Sequence, residues 1–77
     1  NKFYFHEIID FQVVDSSFGE VGIISGVNES TFQPLFEIDR NGKQILIPVI
    51  DNFIKNVDRE NKTIQLQVPN GLIEIYL

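Results

Sequence analysis

Four residue types are missing from this chain of 77 residues: cysteine, methionine, tryptophan and alanine. Without cysteine there are no disulfides, thiolate metal ligands or cysteine nucleophiles, so hydrophobic packing has to hold the fold. Alanine is the strongest helix former, and its absence disfavours helices. No apolar run reaches the roughly 18–20 residues of a membrane-spanning helix, and the start NKFYFHEIID does not resemble a signal peptide. The composition is typical of a small cytoplasmic domain that does not enter a membrane.

Basic residues are also scarce. Six lysines and arginines stand against eleven acidic residues, giving a net charge of −5 and a pI near 4.5. Direct binding to nucleic acid requires a basic patch that neutralises phosphates, and the cations here are scattered among acids. We therefore expect no direct nucleic-acid binding by this domain. An acidic surface suits a basic protein partner or serves solubility alone.

The apolar residues that are present are typical of strands. Twelve isoleucines, seven valines and seven phenylalanines outnumber five leucines, and β-branched and aromatic side chains favour sheets. Residues 8–14 alternate, with Ile9, Phe11 and Val13 expected on one buried face. In the next predicted strand, residues 21–27, the small residues Gly22 and Gly26 predict a bend or a close backbone approach.

The clearest local pattern is Asn41-Gly42 between two apolar segments, because this dipeptide favours a type I′ hairpin turn. It predicts a register in which Ile38 faces Ile45 and Phe36 faces Ile47. Apolar residues then meet on one face, although the like charges of Arg40 and Lys43 face each other at the hairpin end.

The remaining segments complete a predicted count of about six short strands, joined as a mostly antiparallel meander. Pro48 should end the strand after the hairpin, and residues 49–54 have room only for one helical turn. Residues 63–68 alternate again and are closed by Pro69-Asn70-Gly71. One core cannot supply two ordinary sheets, so we predict an all-β fold: a small, partly open β-barrel whose interior is filled by side chains.

Catalytic patterns are sparse. His6 is the single histidine, and it lacks neighbours at a recognised metal-ligand spacing, so no metal or cofactor is predicted. Asp51 and Asp58 offer a carboxylate pair for a hydrolase, but turn capping explains them more simply. We expect a protein that is not an enzyme.

The aromatic residues leave alternatives open. Phe3, Tyr4 and Phe5 form either a strand edge or a surface that packs on a neighbouring domain. Phe18, Phe32 and Phe53 lie in predicted connections, where they either plug the core or belong to a recognition patch.

The order of several motifs resembles a known family. FHEIIDFQVVD, VGIISGV, ILIPVIDNFIKNVDRENKTIQLQV and PNGL follow one another as in the C-terminal PRC-barrel domain of the bacterial ribosome maturation factors of the RimM family. The resemblance covers nearly the whole chain. There are two departures: Asp10 stands where the family commonly has glycine, and TFQPLFEI replaces its usual lead into the third strand.

This resemblance implies a single PRC-barrel-like domain over residues 1–77, expected to be the C-terminal part of a longer chain. Residues 1–5 are a candidate interdomain linker and residues 72–77 a C-terminal tail. It also implies a monomeric, non-enzymatic assembly factor for the head of the small (30S) ribosomal subunit and for 16S rRNA processing. The expected partners are the immature small subunit and its basic ribosomal protein nineteen.

The residues carried over from the family pattern are expected to determine the fold. They are Ile47, Pro48, Val57, Asp58, Pro69, Gly71 and Leu72. For partner or interdomain contact we expect Phe3, Tyr4, Phe53 and again Leu72. The alternative function is a generic PRC-barrel interaction module unconnected with ribosomes, since this type of domain also resembles parts of photosynthetic and stress-related proteins.

Overall fold

A computed structural model describes residues 3–77, and within them six strands form one mixed sheet. The strands are β1 (Gln12–Asp15), β2 (Gly19–Asn28), β3 (Leu35–Arg40), β4 (Lys43–Pro48), β5 (Ile54–Asp58) and β6 (Thr63–Leu66). Three short 3-10 helices span Phe5–Ile8, Asp51–Phe53 and Glu74–Tyr76. The sheet order is β4-β3-β2-β1-β6-β5, so the outer strands β4 and β5 are not paired with each other. This confirms the predicted all-β, partly open barrel.

The β3–β4 hairpin has the predicted register. Phe36 pairs with Ile47 and Ile38 with Ile45, and all four side chains are fully buried. Asn41 and Gly42 have φ values of 52° and 91°, which is the left-handed conformation that a type I′ turn requires.

The like charges at the end of this hairpin each have hydrogen-bond partners elsewhere. Arg40 faces Lys43 across the strands, but its Nη1 donates to the carbonyl oxygens of Glu20 (2.6 Å) and Val21 (3.1 Å). Lys43 Nζ instead donates to the carbonyl oxygen of Leu77 at 3.0 Å. Both cations thus have hydrogen-bond partners in other segments, three bonds in all.

Strand β2 bends where its small residues lie. A Cβ atom on Gly22 would lie 2.4 Å from the backbone oxygen of Asp39 on β3, so only glycine permits this approach of the two strands. The register shifts between Val13 and Val14 in the β1–β2 ladder and between Ile24 and Gly26 in the β2–β3 ladder. Such bulges increase sheet curvature, and the predicted close approach is confirmed.

The predicted strand over residues 8–14 is wrong in its first half. Residues Phe5–Ile8 form a 3-10 helix that buries Ile8, while Ile9 is exposed rather than part of the core. Asp10 has a φ of 73°, and this left-handed residue breaks the alternation before β1 begins. Glycine adopts that conformation most readily, and among other residues aspartate is one of those that tolerate it.

The meander is interrupted once, because β6 pairs with β1 in parallel and lies between β1 and the outer strand β5. Asp15, at the end of β1, is buried and secures this junction: its Oδ1 accepts from Val68 N at 3.0 Å. Its Oδ2 accepts from Ser17 N (2.9 Å) and Phe18 N (2.8 Å) in the following turn. One carboxylate therefore connects the β1–β2 turn to the segment after β6.

The segment 69–77 docks on the barrel instead of extending away from it. Gly71 has a φ of 92°, and the turn it forms places Ile73 in the core with 1% of its surface exposed. Tyr76 packs against the same core, whereas Ile75 and Leu77 are exposed.

Candidate partner-binding surface

The N-terminal aromatic residues have different environments. Phe3 is half-buried, and its ring stacks on that of the fully buried Phe36 at a centroid distance of 6.3 Å. Tyr4 is 73% exposed and stacks on His6 at 5.7 Å. Phe3 thus attaches the segment to the core, while Tyr4 presents an aromatic face to solvent.

An ion pair holds the 3-10 helix that follows Tyr4. Glu7 Oε1 accepts from Arg59 Nη2 at 3.0 Å and from the backbone N–H of Tyr4 at 3.1 Å. The hydrogen bond from Arg59 is the main cause that lowers the pKa of Glu7 below its usual range, and the bond from Tyr4 N–H acts in the same direction. Phe3, Tyr4, Glu7 and Arg59 line a shallow groove of about 400 Å³, which we call the N-terminal groove.

The other two predicted contact residues do not line this groove. Phe53 is half-buried against the core, and its carbonyl oxygen accepts from Gln67 N at 2.7 Å. Leu72 is likewise packed against the core, within the turn in which its N–H donates to the carbonyl oxygen of Pro69 at 3.2 Å. The four residues expected from the sequence therefore belong to at least two environments, and the N-terminal groove contains Phe3 and Tyr4.

The residues carried over from the family pattern lie in the barrel wall and its turns. Ile47 is fully buried, Pro48 ends β4, and Val57 pairs with Ile64. Asp58 accepts from Asn61 N (3.0 Å) and Asn61 Nδ2 (2.8 Å) in the β5–β6 turn. The side-chain hydrogen bond from Asn61 is the main cause that lowers the pKa of Asp58.

Metal-binding clusters and membrane-spanning helices are both absent from the described part of the chain. Residues 3–77 contain no group of three histidine, cysteine or acidic residues placed to hold a metal ion. They also contain no helix long and apolar enough to cross a membrane. What the geometry offers is surface for contact: a groove with an exposed tyrosine ring and a fixed ion pair.

The sequence left open whether the phenylalanines in the connections plug the core or belong to a recognition patch, and Phe32 differs from the other two. It is fully exposed in the β2–β3 connection, so it does not plug the core, whereas Phe18 and Phe53 are both packed against it. All three follow polar residues in connections, and the sequence contains no signal that separates them.

The open barrel defines a small all-β domain of the PRC-barrel class. Comparison with known proteins identifies the family within this class. The family model of the RimM PRC barrel domain matches residues 5–72. The chain belongs to this family.

Several relatives and one solved structure agree with this. Proteins named ribosome maturation factor RimM from Christiangramia forsetii and Flavobacterium psychrophilum are 54% and 49% identical over 77 residues, which is 100% of this chain and 44% of each relative. A crystal structure of a 16S ribosomal RNA processing protein, RimM, from Pseudomonas aeruginosa has the same fold: TM-score 0.74 at 15% identity, over 87% of this chain and 44% of that one. The chain thus spans less than half the length of these proteins.

Proposed function

We propose that this chain is the ribosome-directed domain of a non-enzymatic assembly factor that assists maturation of the small-subunit head and processing of 16S rRNA in the cytoplasm. The observation that carries the proposal is the 54% identity, along the whole chain, to a protein named ribosome maturation factor RimM. In the longer protein this domain is the C-terminal part, residues 1–5 are the link to the preceding domain, and the domain acts as a monomer.

The proposed partner is ribosomal protein nineteen of the small subunit, within the immature subunit. Ribosomal proteins are basic, and this chain carries a net charge of −5, so opposite potentials favour their encounter. Two of its cations already have partners within the chain, Arg40 with backbone carbonyls and Arg59 with Glu7. This domain is therefore proposed to contact protein and not RNA.

For the contact residues, the N-terminal groove supports Phe3 and Tyr4 most directly. An exposed aromatic ring beside a fixed ion pair is the kind of anchor that dominates binding energy at interfaces. Phe53 and Leu72 expose only part of their surfaces, which suits a contact with the preceding domain. In the same proposal Ile47, Pro48, Val57, Asp58, Pro69 and Gly71 act on binding only through the shape of the barrel.

The test is a titration of this chain, and of a full-length relative such as that of Christiangramia forsetii, with purified ribosomal protein nineteen at two salt concentrations. We expect saturable binding that weakens at higher salt. Tyr4→Ser should weaken it by about tenfold, as for an aromatic anchor. Ile75→Ser is the matched control, because Tyr4 and Ile75 are 73% and 72% exposed.

Three results have different meanings. Binding only by the full-length protein would place the contact at the junction of the two domains, where Phe3 and Tyr4 remain the proposed residues. Equal losses in both serine variants would exclude Tyr4 as an anchor. No binding by either form would overturn this partner and favour a PRC-barrel interaction module without a ribosomal role.

A further inference from the structure

The outward face of the sheet around Ile23 is separate from the N-terminal groove. Ile23 lies in the middle of β2 and is 42% exposed. Its cross-strand neighbours are Asp39 on β3 and Gln12 on β1, and Gln44 on β4 lies beyond Asp39. An isoleucine therefore stands among polar side chains on the solvent side of the sheet; we call this region the Ile23 face.

Two shallow grooves lie on the Ile23 face and share Ile23 and Asp39. The first, of about 220 Å³, is also lined by Glu20 and Gln12. The second, of about 320 Å³, is also lined by Asp10 and Gln44. Each groove thus combines the same apolar side chain with a pair of carboxylates, Asp39 being common to both.

The arginine beside this face already has hydrogen-bond partners. Arg40 lines the first groove, but its Nη1 donates to the carbonyl oxygens of Glu20 and Val21, and its guanidinium lies 5.0 Å from the centroid of the Phe18 ring. Glu20 accepts a hydrogen bond from the neutral amide of Gln12. Among residues 3–77, no lysine or arginine lines the second groove.

We propose that the Ile23 face docks a lysine- and arginine-rich segment of a protein partner. Such side chains carry an apolar stem and a cationic end, so the stem covers Ile23 while the cation lies between Asp39 and either Asp10 or Glu20. The argument is charge complementarity together with groove shape: an acidic chain repels phosphates, and a purely apolar partner would leave these carboxylates desolvated without a counter-charge. This inference rests on the proposed function and places a second contact of the basic partner there.

The test neutralises two carboxylates of this face without disturbing the backbone. In the double variant Asp10→Asn and Asp39→Asn, asparagine is suited to Asp10 because it tolerates the positive φ of 73° found there. The control pair Glu29→Gln and Glu60→Gln changes the net charge equally at exposed positions that line neither groove. We expect the first pair to weaken binding of ribosomal protein nineteen by about tenfold and to reduce its salt dependence, and the control pair by less than about twofold.

The apolar part of the site is tested by Ile23→Thr, which keeps a β-branched side chain in the strand. We expect a loss of binding with little change in salt dependence. Binding that all of these variants retain would overturn the inference and leave the proposed function in place.

A second probe separates the two proposals. A short capped peptide of arginine and leucine is titrated into the isotope-labelled chain while amide chemical shifts are followed, with a glutamate-and-leucine peptide as control. Shifts concentrated at Ile23, Asp39 and Gln44, and lost in the asparagine pair, would support the site even if ribosomal protein nineteen did not bind. Shifts spread evenly over the acidic surface, or no shifts, would overturn it.

Discussion

The β1–β2 turn and the β3–β4 turn both reverse the chain between antiparallel strands, but different interactions hold them. The β3–β4 turn is local: Asn41 and Gly42 adopt the left-handed conformation themselves. The β1–β2 turn depends on Asp15, whose carboxylate accepts from two turn amides and from Val68, 53 residues further along the chain. One turn is thus held by its own residues, whereas the other combines local hydrogen bonds with one to a distant segment of the barrel.

The largest expected effect breaks the long-range turn. Asp15→Ala removes the acceptor of three backbone N–H groups, including that of the buried Val68, and should lower the free energy of unfolding by about 3 kcal/mol. Urea unfolding followed by circular dichroism measures this, with the exposed Glu29→Ala as control. A loss no larger than in the control would show that the carboxylate does not hold the turn.

A second change tests close approach between strands. Gly22→Ala places a Cβ atom 2.4 Å from the backbone oxygen of Asp39, which cannot move without displacing β3, so we expect a loss of about 2 kcal/mol. The same denaturation experiment applies. A free energy of unfolding equal to that of the unchanged chain would contradict this, because it would mean that β2 and β3 can move apart with no loss of stability.

The third change makes the same glycine-to-alanine substitution in the local β3–β4 turn. Gly42→Ala meets no atom within 4 Å, so the expected cost is that of a left-handed alanine alone, about 1 kcal/mol, or a fall of roughly 4–8 °C in Tm. Gly19→Ala, which also has a positive φ and open space, is the matched variant in the β1–β2 turn. If Gly42→Ala lowers the free energy of unfolding more than Gly22→Ala does, a clash between strands is not costlier than strain within a turn, and the comparison is wrong.

The smallest expected effect concerns pH. The pKa of Glu7 is lowered in the folded chain, so its ion pair contributes fully above the ordinary glutamate pKa, and this contribution is lost as the pH falls through the lowered folded value. Glu7→Gln should therefore flatten the decline in stability below about pH 4, whereas the exposed Glu74→Gln should not. Thermal unfolding between pH 7 and pH 3 provides the measurement, and identical pH profiles for both variants would contradict it.

The N-terminal groove was partly predicted from the sequence, whereas the Ile23 face was not. Phe3 and Tyr4 are expected contact residues because aromatic side chains crowd the N-terminal segment, and the structure places them in one groove with Glu7 and Arg59. Arg59 could not be assigned there from the sequence, since it is 52 residues from Glu7. The Ile23 face was missed entirely, because Ile23 and Ile24 are adjacent and no alternation shows which of them is exposed at a bulged strand.

By itself the sequence determined the strand-rich composition, the Asn41-Gly42 hairpin with its register, and the resemblance that identifies the family. Each of these features depends on the residue types, on residues close together in the chain, or on the order of the motifs. None of them requires knowledge of contacts between distant residues. Only the tertiary structure decided that β6 lies parallel to β1, that residues 5–8 form a 3-10 helix, and that Asp15 reaches Val68. Those features depend on contacts between distant residues, whose energies exist only once the hydrophobic core has brought the segments together.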